Sequence, residues 1–388
     1  MQGIERNYCD VSIKAVLATY RNLLSSSAFD ALNATEYGKN DTLGLDAIPE
    51  ITIRETITNF DRNAILITEE EELDREAKKR WPTDADPIKQ PLILISDPTD
   101  RSSQLKHFLH EISRDRDDVK VGKLMGRDKT AKIWEEMFEP PATITGATSA
   151  ITCIRKGKIV FSVILNYITH SIYVATSLGV YYYKLPHFDD RDLLKINLDV
   201  ILSQGKLLNF VPSSVACPTY DDMKWFVTFL GKSGYKESFQ DTMIFANKHD
   251  EYLHHTNPGG PSRILYLSEL QKGYGPIGFI VANGEKIGEW IHWLAFVKFI
   301  SLRSDVKFKV FEVYTSRPYM KDGILMSTSP SYSVFRRESD INFLDISRLR
   351  YHDRPSKFRS MIVVCPADND FIIHTMLQHR YREITLHF

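Results

Sequence analysis

Pro91-Leu-Ile-Leu-Ile-Ser-Asp-Pro-Thr-Asp-Arg-Ser-Ser103 is the stretch that decides the reading of this chain. The apolar run from Leu92 to Ile95 predicts a buried strand. Pro98 sets a turn at its end, and that turn carries two carboxylates, Asp97 and Asp100. Ser102 and Ser103 then open a segment, Gln104 to Ile112, that can be helical. Two acids three residues apart at a strand end can hold hard cations, and a helix start beside them can hold a phosphate. The combination points to metal-assisted phosphoryl chemistry. Taken alone, Asp97-Pro98 is also an ordinary strand-ending turn.

Working outward, three more acids could join this pair. Asp46 lies on a predicted helix over Leu43 to Phe60, which requires Pro49 in its first turn. A short strand, Ala64 to Ile67, ends on Thr68 and the acidic run Glu69 to Glu72. Glu289 lies near the start of a late helix, Glu285 to Ile300. Magnesium takes six oxygens and keeps several waters, so a few carboxylates plus a substrate phosphate suffice. Two such ions about 3.5–4 Å apart can clamp the attacking and leaving oxygens of an in-line displacement. Each acid also has a plainer reading. Glu69 to Glu72 suits the solvated first turn of a helix over Asp74 to Arg80, Glu289 is favourable first-turn charge, and Asp46 can be a surface charge on its helix.

Composition sets the class. The chain has 388 residues, enough for two domains or one large layered domain, and is 43% hydrophobic and 26% charged, as soluble globular proteins are. Its formal net charge of -1 gives no reason to expect a nucleic-acid or membrane-surface binder. Cys9, Cys153, Cys217 and Cys365 show no CxxC spacing, which disfavours a zinc site or a disulfide framework. Met1 to Asp10 lacks the apolar core of a signal peptide. The greasiest stretch, Trp290 to Ile300, is short and holds His292 and Lys298, so it reads as a core helix. A cytoplasmic protein is expected, with no membrane or nucleic-acid partner and with homo-oligomerisation open.

Further along, Val11 to Leu24 has helical spacing. From Thr143 the character changes to a meander of strands: Thr143 to Ile154, Lys158 to Asn166, Ser171 to Thr176 and Val180 to Lys184. Alternating units follow: helices over Asp221 to Leu230, Ser262 to Gln271 and Asn369 to Gln378, and strands over Gly278 to Ala282 and Ser360 to Cys365. Strands mixed with crossover helices predict layered α/β packing. The expected division is an N-terminal α+β part, 1–142, and a C-terminal α/β part, 143–388. Gly259-Gly-Pro-Ser262 is either a phosphate loop, with Arg263 reaching substrate, or a helix N-terminus capped near Ser262.

These residues resemble the inositol monophosphatase / fructose-1,6-bisphosphatase superfamily of magnesium-dependent, lithium-sensitive phosphatases. The family's Asp-Pro-(Ile/Leu)-Asp-Gly-(Ser/Thr) is similar to Asp97-Pro-Thr-Asp-Arg-Ser102. Its upstream Glu-Glu after a short strand resembles Ile67-Thr-Glu-Glu70, and a family aspartate on the preceding helix matches Asp46. The meander from Gly146 to Val160 and the end, Arg359 to Phe371, also resemble the family. The late Trp-Asp motif is altered. Aligning Gly284 with the family glycine puts Glu289 at the aspartate.

The resemblance implies a layered αβαβα sandwich and two or three Mg2+ ions. By position it implies Glu69, Asp97, Asp100, Glu289 and the Thr99 carbonyl as magnesium ligands, with Asp46 at a weaker third ion. Ser102 and Glu69 would hold and activate the attacking water. The backbone N–H groups of Arg101 and Ser102 would cradle the phosphate. Three departures stand out: Arg101 replaces a glycine, Glu289 is one methylene longer than aspartate, and Ala282 sits where inositol phosphatases place a glutamate for a substrate hydroxyl. The last argues against myo-inositol monophosphate itself. The expected function is Mg2+-dependent hydrolysis of a small sugar, polyol or nucleotide phosphate. The rival is a non-catalytic relative that binds a phosphorylated metabolite or a partner protein.

Overall fold

A computed structural model describes residues 3–35, 42–69, 92–114, 116, 118–126, 129–138, 146–155 and 158–208. Beyond these it describes the strand segments 224–228, 253–256, 277–281, 308–314, 319–321, 324–326, 360–366 and 382–384, and helical residues 291–292, 295–296, 298–300 and 302.

The organising element is a seven-stranded sheet, β1 to β7 in sequence order. Its strands are β1 (Ile65–Thr68), β2 (Leu92–Asp100), β3 (Thr148–Arg155), β4 (Lys158–Asn166), β5 (Ser171–Thr176), β6 (Gly179–Lys184) and β7 (Lys206–Leu207). β1 and β2 are parallel and every later pair is antiparallel. The sheet therefore draws strands from both sides of residue 142. Three of the four expected meander strands match closely; β3 starts at Thr148, later than the expected Thr143.

β2 differs from its expectation in an informative way. Its pairing with β3 continues past Pro98 to Asp100, with a register shift between Asp97 and Asp100. Pro98 does not end the strand. It falls in the irregularity, where the missing N–H breaks no ladder bond.

Two long helices cover one face of the sheet. α1 (Ile4–Ser25) and α3 (Gly44–Phe60) lie against each other, α1 on β4 and α3 on β2. Alternation along β2 assigns the faces. Leu92 and Leu94 join the core cluster formed with α1 and α3, as do Ile151, Cys153, Phe161, Val163 and Leu165 of β3 and β4. Ile93, Ile95 and Asp97 therefore face the other way. On that side, Thr152 Oγ1 bonds His292 Nδ1 at 2.7 Å and Lys298 Nζ donates to the Ile159 carbonyl at 2.8 Å. The late helix thus packs on the second face. His292 lies nearer the Asp97 end, because Thr152 pairs with Ile95.

A six-stranded sheet lies further along the chain, ordered β15-β11-β14-β10-β8-β9. Its strands are β8 (Lys224–Thr228), β9 (Leu253–Thr256), β10 (Ile277–Val281), β11 (Phe308–Tyr314), β14 (Ser360–Pro366) and β15 (Arg382–Ile384); β12 (Tyr319–Lys321) and β13 (Ile324–Met326) make a separate hairpin. The architecture is mixed helix and sheet in layers, as expected. The helix expected over Asp221 to Leu230 is instead strand β8, parallel to both β9 and β10. Trp225-Phe-Val-Thr228 is an aromatic and β-branched run, which fits an interior strand better than a helix. The expected helices over Ser262 to Gln271 and Asn369 to Gln378 lie outside the described residues.

Candidate active site

The site forms where β2 hands over to α4 (Ser102–Ser113). Asp97, Thr99 and Asp100 are buried, with 2%, 5% and 8% of their surface exposed. Carboxylates this buried require ligands or hydrogen-bond donors nearby. The chain then turns sharply. Arg101, the residue before the helix, has φ 66° and ψ 35°, in the left-handed region. That conformation favours glycine, and it is the position where the resembled family has one. This left-handed residue joins the strand end directly to the helix start.

The start of α4 is open. No side chain caps it, and its first intrahelical bond runs from the Leu105 N–H to the Arg101 carbonyl at 2.9 Å. The amides of Ser102, Ser103 and Gln104 therefore have no intrahelical acceptors, and they form the positive end of the helix. The Arg101 guanidinium donates to the Gly146 carbonyl at 3.4 Å. Gly146 has φ 156°, and a Cβ there would overlap the buried Asn166 amide. The Arg101 contact thus rests on a backbone that only glycine permits.

Glu69 follows β1 directly and is half-buried. The parallel register ends at Thr68 opposite Ser96, so the next step sets Glu69 level with Asp97. Asp46 comes from the first turn of α3, also half-buried. Gly44, at the start of that helix, lies so close to the Asp30 carbonyl of α2 (Ala28–Leu32) that a Cβ would overlap it. This close approach fixes where Asp46 emerges.

Pro49 is not in the first turn of α3, as expected, but in its second. Its missing N–H leaves the Leu45 carbonyl without the usual i to i−4 partner. Thr99 Oγ1 donates to that carbonyl at 2.7 Å. The helix break is thereby filled from the strand-end turn, tying the Asp46 helix to the Asp97–Asp100 turn. In the same turn, Ser149 Oγ donates to the Pro98 carbonyl, and Tyr167 OH lies 2.6 Å from Ser149 Oγ. Ser149 and Tyr167 are fully buried. Burial raises the Tyr167 pKa, and the charges of Asp46 and Asp97 raise it further. One phenol thus senses the charge of both carboxylates.

Asp46, Glu69, Asp97, Thr99, Asp100, Arg101 and Ser102 therefore lie at one end of the sheet. Glu289 and Arg263 lie outside the described residues. Among the described residues, no three His, Cys, Asp or Glu side chains stand close enough to hold an ion by themselves. Magnesium does not need three: it is held by one or two carboxylates, with waters and substrate phosphate filling the rest. Asp97, Asp100, Glu69 and Asp46 offer only oxygen donors, the kind that ion takes. Sequence reading missed Ser149, Tyr167 and the Leu45 carbonyl. Only the last had a signal, a proline inside a helical pattern.

No family model matches the chain, and no curated protein matches it. Solved structures do. The extragenic suppressor protein SuhB of Bartonella henselae is 12% identical, with 95% of this chain and 97% of that one covered and a TM-score of 0.48. CysQ of Bacteroides thetaiotaomicron, a bacterial member of the inositol monophosphatase family, is 12% identical over 92% and 97%, with a TM-score of 0.45. The inositol monophosphatase of Anabaena (Nostoc) is 11% identical over 96% and 95%, with a TM-score of 0.46. No helix among the described residues is long and apolar enough to cross a membrane.

Proposed function

We propose that this chain is a Mg2+-dependent phosphatase acting on a small phosphate monoester, of the sugar, polyol or nucleotide class. The observation that carries it is the buried pair Asp97 and Asp100 ending β2, one residue before the uncapped start of α4. A surface turn would not bury two carboxylates, and a structural helix start would ordinarily carry a capping side chain. Here the acids and the free amides together make an electrostatic seat for a cation and a phosphate.

The residues divide the work. Asp97, Asp100 and Glu69 hold magnesium, with the Thr99 carbonyl and Glu289 as further ligands and Asp46 at a weaker site, for two or three ions. When bound, magnesium supplies Lewis acidity and a lowered water pKa. Ser102 and Glu69 accept hydrogen bonds from the attacking water and fix its direction. The first-turn amides of α4, with Arg101 and Arg263, take the phosphate oxygens. The substrate reaches the site from solvent as a free metabolite, and the protein works in the cytoplasm.

A second reading has one observation behind it. Arg101 holds a left-handed backbone that costs an L-residue about 1–2 kcal/mol, and its side chain is turned toward Gly146. A protein that binds a phosphorylated metabolite or partner without turning it over would tolerate this. The deciding experiment is a hydrolysis screen over phosphorylated metabolites with magnesium and with EDTA, with Asp97→Asn beside the wild type. Magnesium-dependent release of phosphate that Asp97→Asn abolishes supports the enzyme. Binding without turnover supports the second reading. Full activity in Asp97→Asn removes the site assignment.

A further inference from the structure

Within the proposed site, we infer that Tyr167 is a positioning residue, fixing the Asp97–Asp100 turn through a one-way hydroxyl relay into the Pro98 carbonyl. The inference rests on the phosphatase reading for what the turn is for, and on the hydrogen-bond geometry for how it is held.

The direction of the relay follows from its last member. A carbonyl can only accept, so the bond between Ser149 and Pro98 uses the serine proton. Ser149 then has only lone pairs for the 2.6 Å contact with Tyr167, so the phenol must be the donor. The order is Tyr167 O–H to Ser149 O–H to Pro98 C=O. No proton remains on the phenol for Asp46 or Asp97, although both carboxylates act on it. The tyrosine therefore donates to neither acid.

The relay is placed to matter. Ser149 comes from β3, opposite Leu165 of β4, and Tyr167 follows β4 with its own N–H bonded to the Ala147 carbonyl at 3.0 Å. Pro98 falls inside the register shift that separates Asp97 from Asp100, where no ladder bond fixes the backbone. A side-chain donor does the work that the ladder leaves undone there. Thr99, the next residue, is tied to the Leu45 carbonyl. The two ties hold both residues of the dipeptide between the acids. Burial keeps the phenol protonated and hence a donor across the neutral range. Losing a partner behind metal ligands typically costs about 10–100-fold in metal affinity.

The test is calorimetric titration of MgCl2 into the full chain, without substrate, for the wild type, Tyr167→Phe, Ser149→Ala, Ser149→Thr and the Ser149→Ala/Tyr167→Phe double variant. The expected result is a magnesium dissociation constant raised about 10-fold or more in Tyr167→Phe and in Ser149→Ala. Ser149→Thr keeps the hydroxyl and should stay near the wild type. The double variant should be little worse than either single, because both break one relay. Circular dichroism and urea unfolding check that each variant is folded. If Tyr167→Phe does not fold, the serine pair decides. A folded Tyr167→Phe with wild-type magnesium affinity overturns the positioning role, as does full additivity in the double variant. If the wild type itself takes up no magnesium, the phosphatase reading falls first and the relay's role falls with it. A wild type that binds magnesium and hydrolyses substrate, beside indifferent variants, sinks the relay alone.

Discussion

Replacing Arg101 with glycine separates the arginine's cost from its use. At φ 66° and ψ 35° the left-handed backbone costs an L-residue about 1–2 kcal/mol. Glycine removes that cost but loses about 0.5–1 kcal/mol more backbone entropy on folding. The variant also gives up the guanidinium bond to Gly146, which at 3.4 Å is long and belongs near the bottom of the ~0.5–1.5 kcal/mol range for such bonds. Gain and losses nearly cancel, so Arg101→Gly should stay within about 0.5 kcal/mol of the wild type in urea unfolding. Phosphate binding should not stay. A charged hydrogen bond to phosphate contributes about 1.5–3 kcal/mol, roughly 10–150-fold in the dissociation constant. The assay is titration of inorganic phosphate in saturating magnesium, then of magnesium alone, on both proteins. Weakened phosphate binding with unchanged stability and magnesium affinity is the expected result. Unchanged phosphate binding with altered magnesium affinity would refute the phosphate role and make the arginine a neutraliser of the acid cluster. A rise in turnover would mark Arg101 as an obstruction and favour the non-catalytic reading. Arg101→Ala is the control: it keeps the left-handed strain, loses the bond, and should be the less stable variant.

Other outcomes follow from the same contacts. Glu69→Gln keeps the shape but weakens the acceptor that orients water, so kcat should fall far more than KM rises; a change in KM alone would make Glu69 a binding residue. Thr99→Val leaves the Leu45 carbonyl without its donor and should cost about 1–3 kcal/mol in urea unfolding. Adding Pro49→Ala to it restores a helical N–H for that carbonyl and should return much of the loss, though not magnesium affinity; no recovery would show that the proline gap is filled in some other way. His292 is neutral in the folded protein, its pKa pushed down to about 3 by burial. The unfolded state takes up a proton below about pH 6.5 and the folded state does not, so this group's share of stability is whole above that pH and lost as pH falls. The loss amounts to about 3 kcal/mol by pH 4. Urea unfolding from pH 7 to 4 should therefore show a shallower decline in His292→Gln than in the wild type, and equal slopes would remove the assignment.

How much of this was legible in the chain depends on the range of the interaction. The apolar run into Asp97-Pro-Thr-Asp, the meander after it and the helical spacing near the N-terminus are local patterns, and alternation or periodicity within a few residues carries them. The sequence by itself therefore determined a layered α/β protein with an acid-bearing strand end. It did not determine that β2 runs on through Pro98, because a bulge depends on the partner strand. Trp225-Phe-Val-Thr228 departs from its helical expectation for the same reason: its strand state is set by parallel neighbours on both sides. Arg101 shows the limit most plainly. No local rule places an arginine in a left-handed turn, and it stays there because the strand before it and the helix after it are each held by the rest of the fold. Tertiary structure alone brought Ser149 and Tyr167 to the Pro98 carbonyl and Thr99 to the carbonyl that Pro49 leaves open. The bonds to the Leu45 and Pro98 carbonyls span 54 and 51 positions, and a hydrogen bond at that separation exists only once the sheet has brought its ends together.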